Sequence, residues 1–154
     1  MATATGRPPR SIRSFDSAVR LAQDRGERAT RVEPRLSPVR LKRYFEDKLA
    51  AELGPHNVKR LLDAGTRDVV ILDVRSAEGY DQGHVPGAIH IPFEQLPTRL
   101  RELPKSKEII TYCWNVTCLL CTKAAYVLAS KGYKAREMIG GIQSWKDAGF
   151  PVEQ

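Results

Sequence analysis

Apolar side chains between residues 37 and 53 fall at Leu41, Phe45, Leu49 and Leu53, the spacing of one helix face. Ser37-Pro38 ahead of them reads as an N-cap followed by proline at the first helical position. Gly54-Pro55 ends the run, so a helix of about four turns is predicted. A shorter helix over residues 57–64 follows, with Gly65 as its C-cap. The pattern then changes. Val69-Val70-Ile71-Leu72 is a continuous, largely β-branched apolar run that turns polar at Asp73-Val74-Arg75, and Ile109-Ile110-Thr111-Tyr112 repeats it and ends in Cys113. Such runs fit strands covered on both faces. Residues 88–91 and 136–139 give weaker strand signals, and residues 93–103, 119–131 and 141–148 read as helices. Strands alternating with helices require crossover connections. The predicted fold class is therefore α/β, a small and mainly parallel sheet with helices on both faces.

Composition narrows this picture without changing it. The chain has 154 residues, 42% hydrophobic and 28% charged, enough for one core of ordinary size. No stretch approaches the roughly 18 apolar residues that cross a bilayer. The net charge of +7 is unevenly placed: residues 1–43 hold 11 Lys and Arg against 4 Asp and Glu, and residues 44–154 hold 14 of each. Arg40, Lys42 and Arg43 supply three of the excess charges, and the other four belong to the arm of residues 1–36, where Arg7, Arg10, Arg13, Arg20, Arg25, Arg28, Arg31 and Arg35 are interrupted by Pro8, Pro9 and Pro34. This segment lacks the apolar content to fold alone and is expected to be a disordered, solvated arm. As a nucleic-acid arm it would want aromatic residues among the arginines. As an organellar leader it is weakened by Asp16, Asp24 and Glu27, and no apolar core of a secretory signal exists. Residues 37–154 are expected to form the domain, and neither nucleic acid nor membrane is an expected partner.

Cys113, Cys118 and Cys121 fall within nine residues. An odd count without a secretion signal argues for reduced thiols in the cytoplasm rather than a disulfide scaffold. A zinc site would need a fourth ligand, and His56, His84 and His90 lie in other segments; no metal is expected. In open α/β sheets functional groups gather beyond the carboxyl ends of the strands, where both Asp73-Val74-Arg75 and Cys113 are expected. Trp114, Asn115, Val116, Thr117 and Cys118 then form the loop leading to the 119–131 helix. Their backbone N–H groups would wrap an anion beside the helix's positive end. A thiol at Cys113 would have its thiolate favoured there, the position of a nucleophile.

Several motifs now coincide. Leu72-Asp73-Val74-Arg75, Gly83-His84-Val85-Pro86-Gly87-Ala88-Ile89-His90-Ile91-Pro92, Tyr112-Cys113 before its loop, and Gly140-Gly141-Ile142-Gln143-Ser144-Trp145-Lys146-Asp147-Ala148-Gly149-Phe150-Pro151-Val152 occur in this order over residues 56–153. The sequence resembles the rhodanese superfamily, and its Cys113-to-Cys118 loop looks like that of a bacterial-type, single-domain branch. The resemblance implies a parallel sheet of about five strands, and a sulfurtransferase needing no cofactor. Cys113 would take one sulfur from thiosulfate, a thiol or a persulfide donor. It would hold that sulfur as a persulfide and pass it to a nucleophilic acceptor, a small thiol, a cyanide-like molecule or a protein. Trp114, Asn115, Val116, Thr117 and Cys118 carry over as the substrate cradle by position. Asp73, Arg75 and His84 carry over as structural residues, tying the sheet edge to its loops.

The loop departs from the familiar pattern: it is about two residues longer and lacks a glycine, leaving Asn115 as the residue best suited to a left-handed conformation. Longer loops occur in phosphatases and arsenate reductases of the superfamily, but those close with an arginine, absent here between Cys113 and Lys123. The alternatives are a catalytically weak module that binds a protein partner or carries sulfur and, less favoured, an oxyanion enzyme. Cys121 is expected to be a buried, inert thiol on the helix. Cys118, at the helix entrance, is the candidate to resolve a Cys113 persulfide. Trp114 is expected as a lid or recognition surface and Trp145 as core.

Overall fold

The computed structural model describes residues 36–154; the arm of residues 1–35 lies outside the described residues. The elements are α1 (Pro38–Ala51), β1 (Glu52–Leu53), α2 (Pro55–Asp63), β2 (Val69–Asp73), α3 (Ala77–Asp81), β3 (Ile89–His90), α4 (Leu96–Arg99) between two 3-10 turns, β4 (Glu108–Tyr112), α5 (Leu120–Ser130), β5 (Lys134–Met138) and α6 (Gly141–Asp147). The strands form one five-stranded sheet in the order β1-β5-β4-β2-β3, every neighbouring pair parallel. The expected α/β class and five-stranded parallel sheet are both present.

Alternation along the strands splits the core in two. Leu72 of β2 and Ile109 of β4 pack with Leu96, Cys121, Ala124 and Leu128 on one face. Ile71 and Ile110 pack with Val58, Met138, Ile142 and Trp145 on the other. Cys121, Ala124 and Leu128 are the buried residues of α5, three and then four positions apart, the stripe a helix lays on a sheet. Trp145 is fully buried, as expected, and its indole N–H donates to the Pro151 carbonyl at 2.8 Å.

Two local expectations are corrected and one element is added. Glu52-Leu53 leave the helical run and become the edge strand β1, opposite Glu137 and Met138. Pro55 ends helical continuity, and Leu53 packs against the cluster around Val58 and Met138. Residues 93–103 are not one helix. Pro97 lies in the first turn of α4 and has no N–H to donate, so the segment divides into Phe93–Gln95, Leu96–Arg99 and Leu100–Glu102. Helix α3, with Ser76 as N-cap accepting from Gly79 N–H at 3.3 Å, is too short to leave a periodic signal.

Candidate functional site

Central β4 decides where its chain exits. Ile109, Thr111 and Cys113 alternate with Ile110 and Tyr112, so Cys113, the first residue past the strand, emerges on the α5 side. It is completely buried. Its Sγ lies 3.1 Å from Cys121 Sγ and 3.1 Å from the Cys118 carbonyl oxygen. Thr111 fixes this approach: its hydroxyl, on the same face, donates to the Cys121 carbonyl at 3.0 Å. The Cys113 thiol is held well below its ordinary value, at about 6. Hydrogen bonding from the Cys121 thiol is the chief cause; the Cys118 thiol and the N–H groups of Cys121 and Trp114 add to it, and burial opposes. Cys121 is pushed the other way, by its bond to the Cys113 sulfur first and by burial second. Burial also raises Cys118. Of the three thiols Cys113 is therefore the most acidic.

The loop is pinned at its beginning. The N–H groups of Ile142 and Gln143, in the first turn of α6, donate to the carbonyls of Cys113 (2.9 Å) and Trp114 (3.0 Å). This approach requires glycine at position 141: φ is +56°, and a Cβ there would lie 2.4 Å from the Cys113 carbonyl oxygen. Trp114 stacks over the Arg75 guanidinium, 4.8 Å from centroid to Cζ, and covers Gly79, where a Cβ would come within 2.6 Å of the ring. Trp114 is thus a half-exposed brace on α3. Asn115 does not take the left-handed conformation, for no described non-glycine residue has a positive φ. Its side-chain oxygen instead accepts from Thr117 N–H (3.0 Å) and hydroxyl (2.8 Å), and its carbonyl accepts from Cys118 N–H (3.2 Å). The Thr117 and Cys118 amides are therefore turned into the loop, while those of Trp114 and Cys121 serve the Cys113 sulfur. Val116 is exposed.

Asp73 and Arg75 form a buried pair, Arg75 Nη2 to Asp73 Oδ2 at 2.6 Å. Arg75 also donates to the Gly83 carbonyl at 2.9 Å. Tyr112 donates to Asp73 Oδ2 at 2.5 Å and accepts from Val85 N–H at 3.1 Å. His84 faces the Tyr80 carbonyl through Nδ1 at 3.1 Å and stacks on the Tyr80 ring. The three motif residues thus bind the carboxyl edge of the sheet to the 83–88 loop.

Beside the loop opens a cleft of about 480 Å³ whose wall includes Asn115, Val116, Cys118, Cys121, Thr122 and Glu137, but not Cys113. Glu137 accepts from the Thr122 hydroxyl at 2.7 Å and faces Cys121 Sγ at 3.4 Å. Lys48, ion-paired to Glu52, completes one side. Among the described residues no three His, Cys, Asp or Glu side chains are grouped to hold a metal ion, and no helix is long and apolar enough to cross a membrane.

The structure gathers Cys113, Cys118 and Trp114 as the sequence suggests, and adds Cys121, Glu137 and Gly141. Cys121 carried a usable signal: it shares its helix stripe with Ala124 and Leu128, and Cys113 shares a strand face with Thr111. Glu137 carried none, since nothing in the sequence aligns β5 with the start of α5.

The family model for the rhodanese-like domain matches residues 54–148. A sulfurtransferase of Allochromatium vinosum is 31% identical over 90 residues, 58% of this chain and 82% of that protein. An HTH-type transcriptional regulator of Mycobacterium tuberculosis is 36% identical over 87 residues, 56% of this chain. This chain spans only 38% of that regulator's length. The crystal structure of the BH2092 protein from Bacillus halodurans superposes with a TM-score of 0.69 at 37% identity, covering 76% of this chain and 86% of that one. With its parallel sheet, its cysteine past the central strand and a family match over more than half its length, the chain belongs to the rhodanese-like domain family.

Proposed function

We propose that the chain is a sulfurtransferase that moves sulfane sulfur through a persulfide on Cys113. The observation that carries this reading is the environment of one sulfur: Cys113 is fully buried yet held as an anion by two thiols and two backbone N–H groups. A buried thiolate at the carboxyl edge of a parallel sheet suits nucleophilic attack on a donor sulfur. The same donors would stabilise the negative charge of the persulfide. Asp73, Arg75, Tyr112 and Gly141 act as positioning residues, fixing the edge from which Cys113 projects.

The cleft favours a thiol or persulfide donor over thiosulfate. Its charged groups are Glu52, Glu137 and Lys48, with Lys48 already paired to Glu52, so a dianion finds no unpaired cation in its wall. The acceptor is a nucleophile of the same kind, a small thiol or a protein thiol. The free thiols suit a reducing compartment such as the cytoplasm, and neither nucleic acid nor membrane enters this chemistry. The domain proper is residues 37–154, with the basic arm as an appendage.

The test is the intact mass of the reduced protein after incubation with thiosulfate and, separately, with an organic persulfide, before and after cyanide. A cyanide-labile gain of one sulfur on Cys113, stronger with the persulfide, is the expected result. No gain with either donor, the protein being folded, would overturn the reading in favour of a partner-binding module.

A further inference from the structure

The transfer just described uses Cys121 only as a hydrogen-bonding neighbour of the thiolate, since it needs one sulfur nucleophile and an external acceptor. Yet Cys121 Sγ lies as near the reacting sulfur as the Cys118 carbonyl does, both at 3.1 Å. A covalent disulfide spans about 2.0 Å, so the 3.1 Å between Cys113 Sγ and Cys121 Sγ leaves roughly 1 Å to close. Neither side chain needs to cross the pocket. Two further observations distinguish Cys121 from an inert core thiol. Its sulfur faces a carboxylate oxygen of Glu137 at 3.4 Å, an acceptor for the thiol proton. It also lines the cleft, whereas Cys113 does not.

We propose that Cys121 is a built-in acceptor that discharges the Cys113 persulfide, releasing hydrosulfide and leaving a Cys113–Cys121 disulfide. This rests on the sulfurtransferase reading. The step balances without an external oxidant. Cys121 gives its proton to Glu137, and its sulfur lone pair forms a bond to Cys113 Sγ. The bond between Cys113 Sγ and the outer sulfur breaks, its electron pair leaving with the outer sulfur, which takes up the proton as HS⁻. The outer, sulfane sulfur is reduced to sulfide and the two thiols are oxidised to the disulfide.

Return to the reduced state requires a dithiol reductant, and the geometry sets the direction of attack. The cleft reaches Cys121, so an incoming thiolate meets that sulfur first. Cys113 then departs as a thiolate towards the donors that still face it once Cys121 is bonded, the Cys118 thiol and the N–H groups of Cys121 and Trp114. A second thiolate frees Cys121. The domain would thus convert a bound persulfide into hydrosulfide at the expense of a dithiol, an activity distinct from passing sulfur to an external acceptor.

The experiment loads the reduced full chain with an organic persulfide, removes the donor and follows intact mass, mapped disulfides and released hydrosulfide without acceptor. The wild type should lose its added sulfur, release one hydrosulfide per chain and gain a mapped Cys113–Cys121 disulfide. Whatever fraction of Cys121→Ser and Cys121→Ala loads should keep its persulfide roughly tenfold longer or more, the advantage of a thiol held in contact being lost. The fraction of Cys118→Ser that loads should still give the Cys113–Cys121 disulfide. Equal persulfide lifetimes in wild type and both Cys121 variants, or a disulfide mapped to Cys118, would overturn the proposal while leaving the sulfurtransferase reading intact. Failure to load at all would overturn that reading, and this inference with it.

Discussion

Replacing Cys121 by alanine tests the electrostatics of the site independently of any sulfur donor. In the native protein the Cys113 pKa falls from 9.0 to about 6, with the Cys121 thiol as the largest cause. Three pH units correspond to about 4 kcal/mol favouring the thiolate. A hydrogen bond to a charged group contributes about 1.5–3 kcal/mol, so Cys121→Ala should raise the Cys113 pKa by about one to two pH units. The direct assay is the pH dependence of Cys113 alkylation, read by peptide mapping. The midpoint should move from near 6 to about 7–8. Stability provides a second readout. Because folding depresses this pKa, the contribution is absent below about pH 6, grows as pH rises towards 9 and is lost again as pH falls. At pH 7 it is on the order of 1 kcal/mol in the wild type and close to zero in the variant. The stability gap between the two proteins should therefore widen by about 1 kcal/mol from pH 6 to 7, whatever constant cost the missing sulfur adds. The raised pKa of Cys121 itself matters only above its unfolded value, outside this window. An alkylation midpoint that does not move would refute the assignment of Cys121 as the donor that holds the thiolate.

Two substitutions probe the frame around the sulfur. Gly141→Ala, at a φ of +56°, places a methyl group against the Cys113 carbonyl, whereas Gly132→Ala, at a φ of +79°, meets nothing within 4 Å. Both incur the backbone cost of about 1–2 kcal/mol; only Gly141→Ala should lose substantially more in denaturant titration and also lose Cys113 persulfide loading, and equal losses would show that the close approach is unimportant. Tyr112→Phe removes the hydroxyl that joins Asp73 to Val85 N–H and should cost about 1–3 kcal/mol for the orphaned buried groups, with little change in the Cys113 alkylation midpoint. A stability loss within experimental scatter would mean that water replaces the hydroxyl.

The strands were legible because β2 and β4 are buried on both faces and carry almost unbroken apolar runs, Val69 to Leu72 and Ile109 to Tyr112. Edge elements left weaker traces. Two-residue β1 owes its strand character to pairing with Glu137 and Met138, a partner far along the chain, while its own residues continue a helical spacing. Cys113 was legible from its place between a strand and a helix. The role of Cys121 was not, because an apolar stripe on a helix records that a thiol faces the sheet but not which sheet atom it meets. That depends on where α5 begins relative to β4, set here by the Thr111 hydroxyl on the Cys121 carbonyl and by the length of the loop.

Loop length also bears on the route by which a donor would reach the buried Cys113 in the proposed transfer. The first two loop residues are fixed from outside: α6 N–H groups bind both carbonyls and Arg75 and Gly79 hold the Trp114 ring. From Asn115 onward the hydrogen bonds are internal to the site, Thr117 and Cys118 to Asn115 and the Cys118 carbonyl to Cys113 Sγ, and Val116 and Leu119 are 76% and 62% exposed. Displacing this second half costs a few hydrogen bonds that water can replace, whereas displacing the first half breaks the docking of α6 and the stacking on Arg75. The lower-cost route to Cys113 therefore passes the 115–119 segment, on the side where the cleft presents Cys118, Cys121 and Glu137. A donor arriving by that route meets the Cys121 side of the site before the thiolate it must reach. If Cys113 is the nucleophile proposed above, the long loop makes the site a two-sulfur one, with the thiol nearest Cys113 also bordering its entrance.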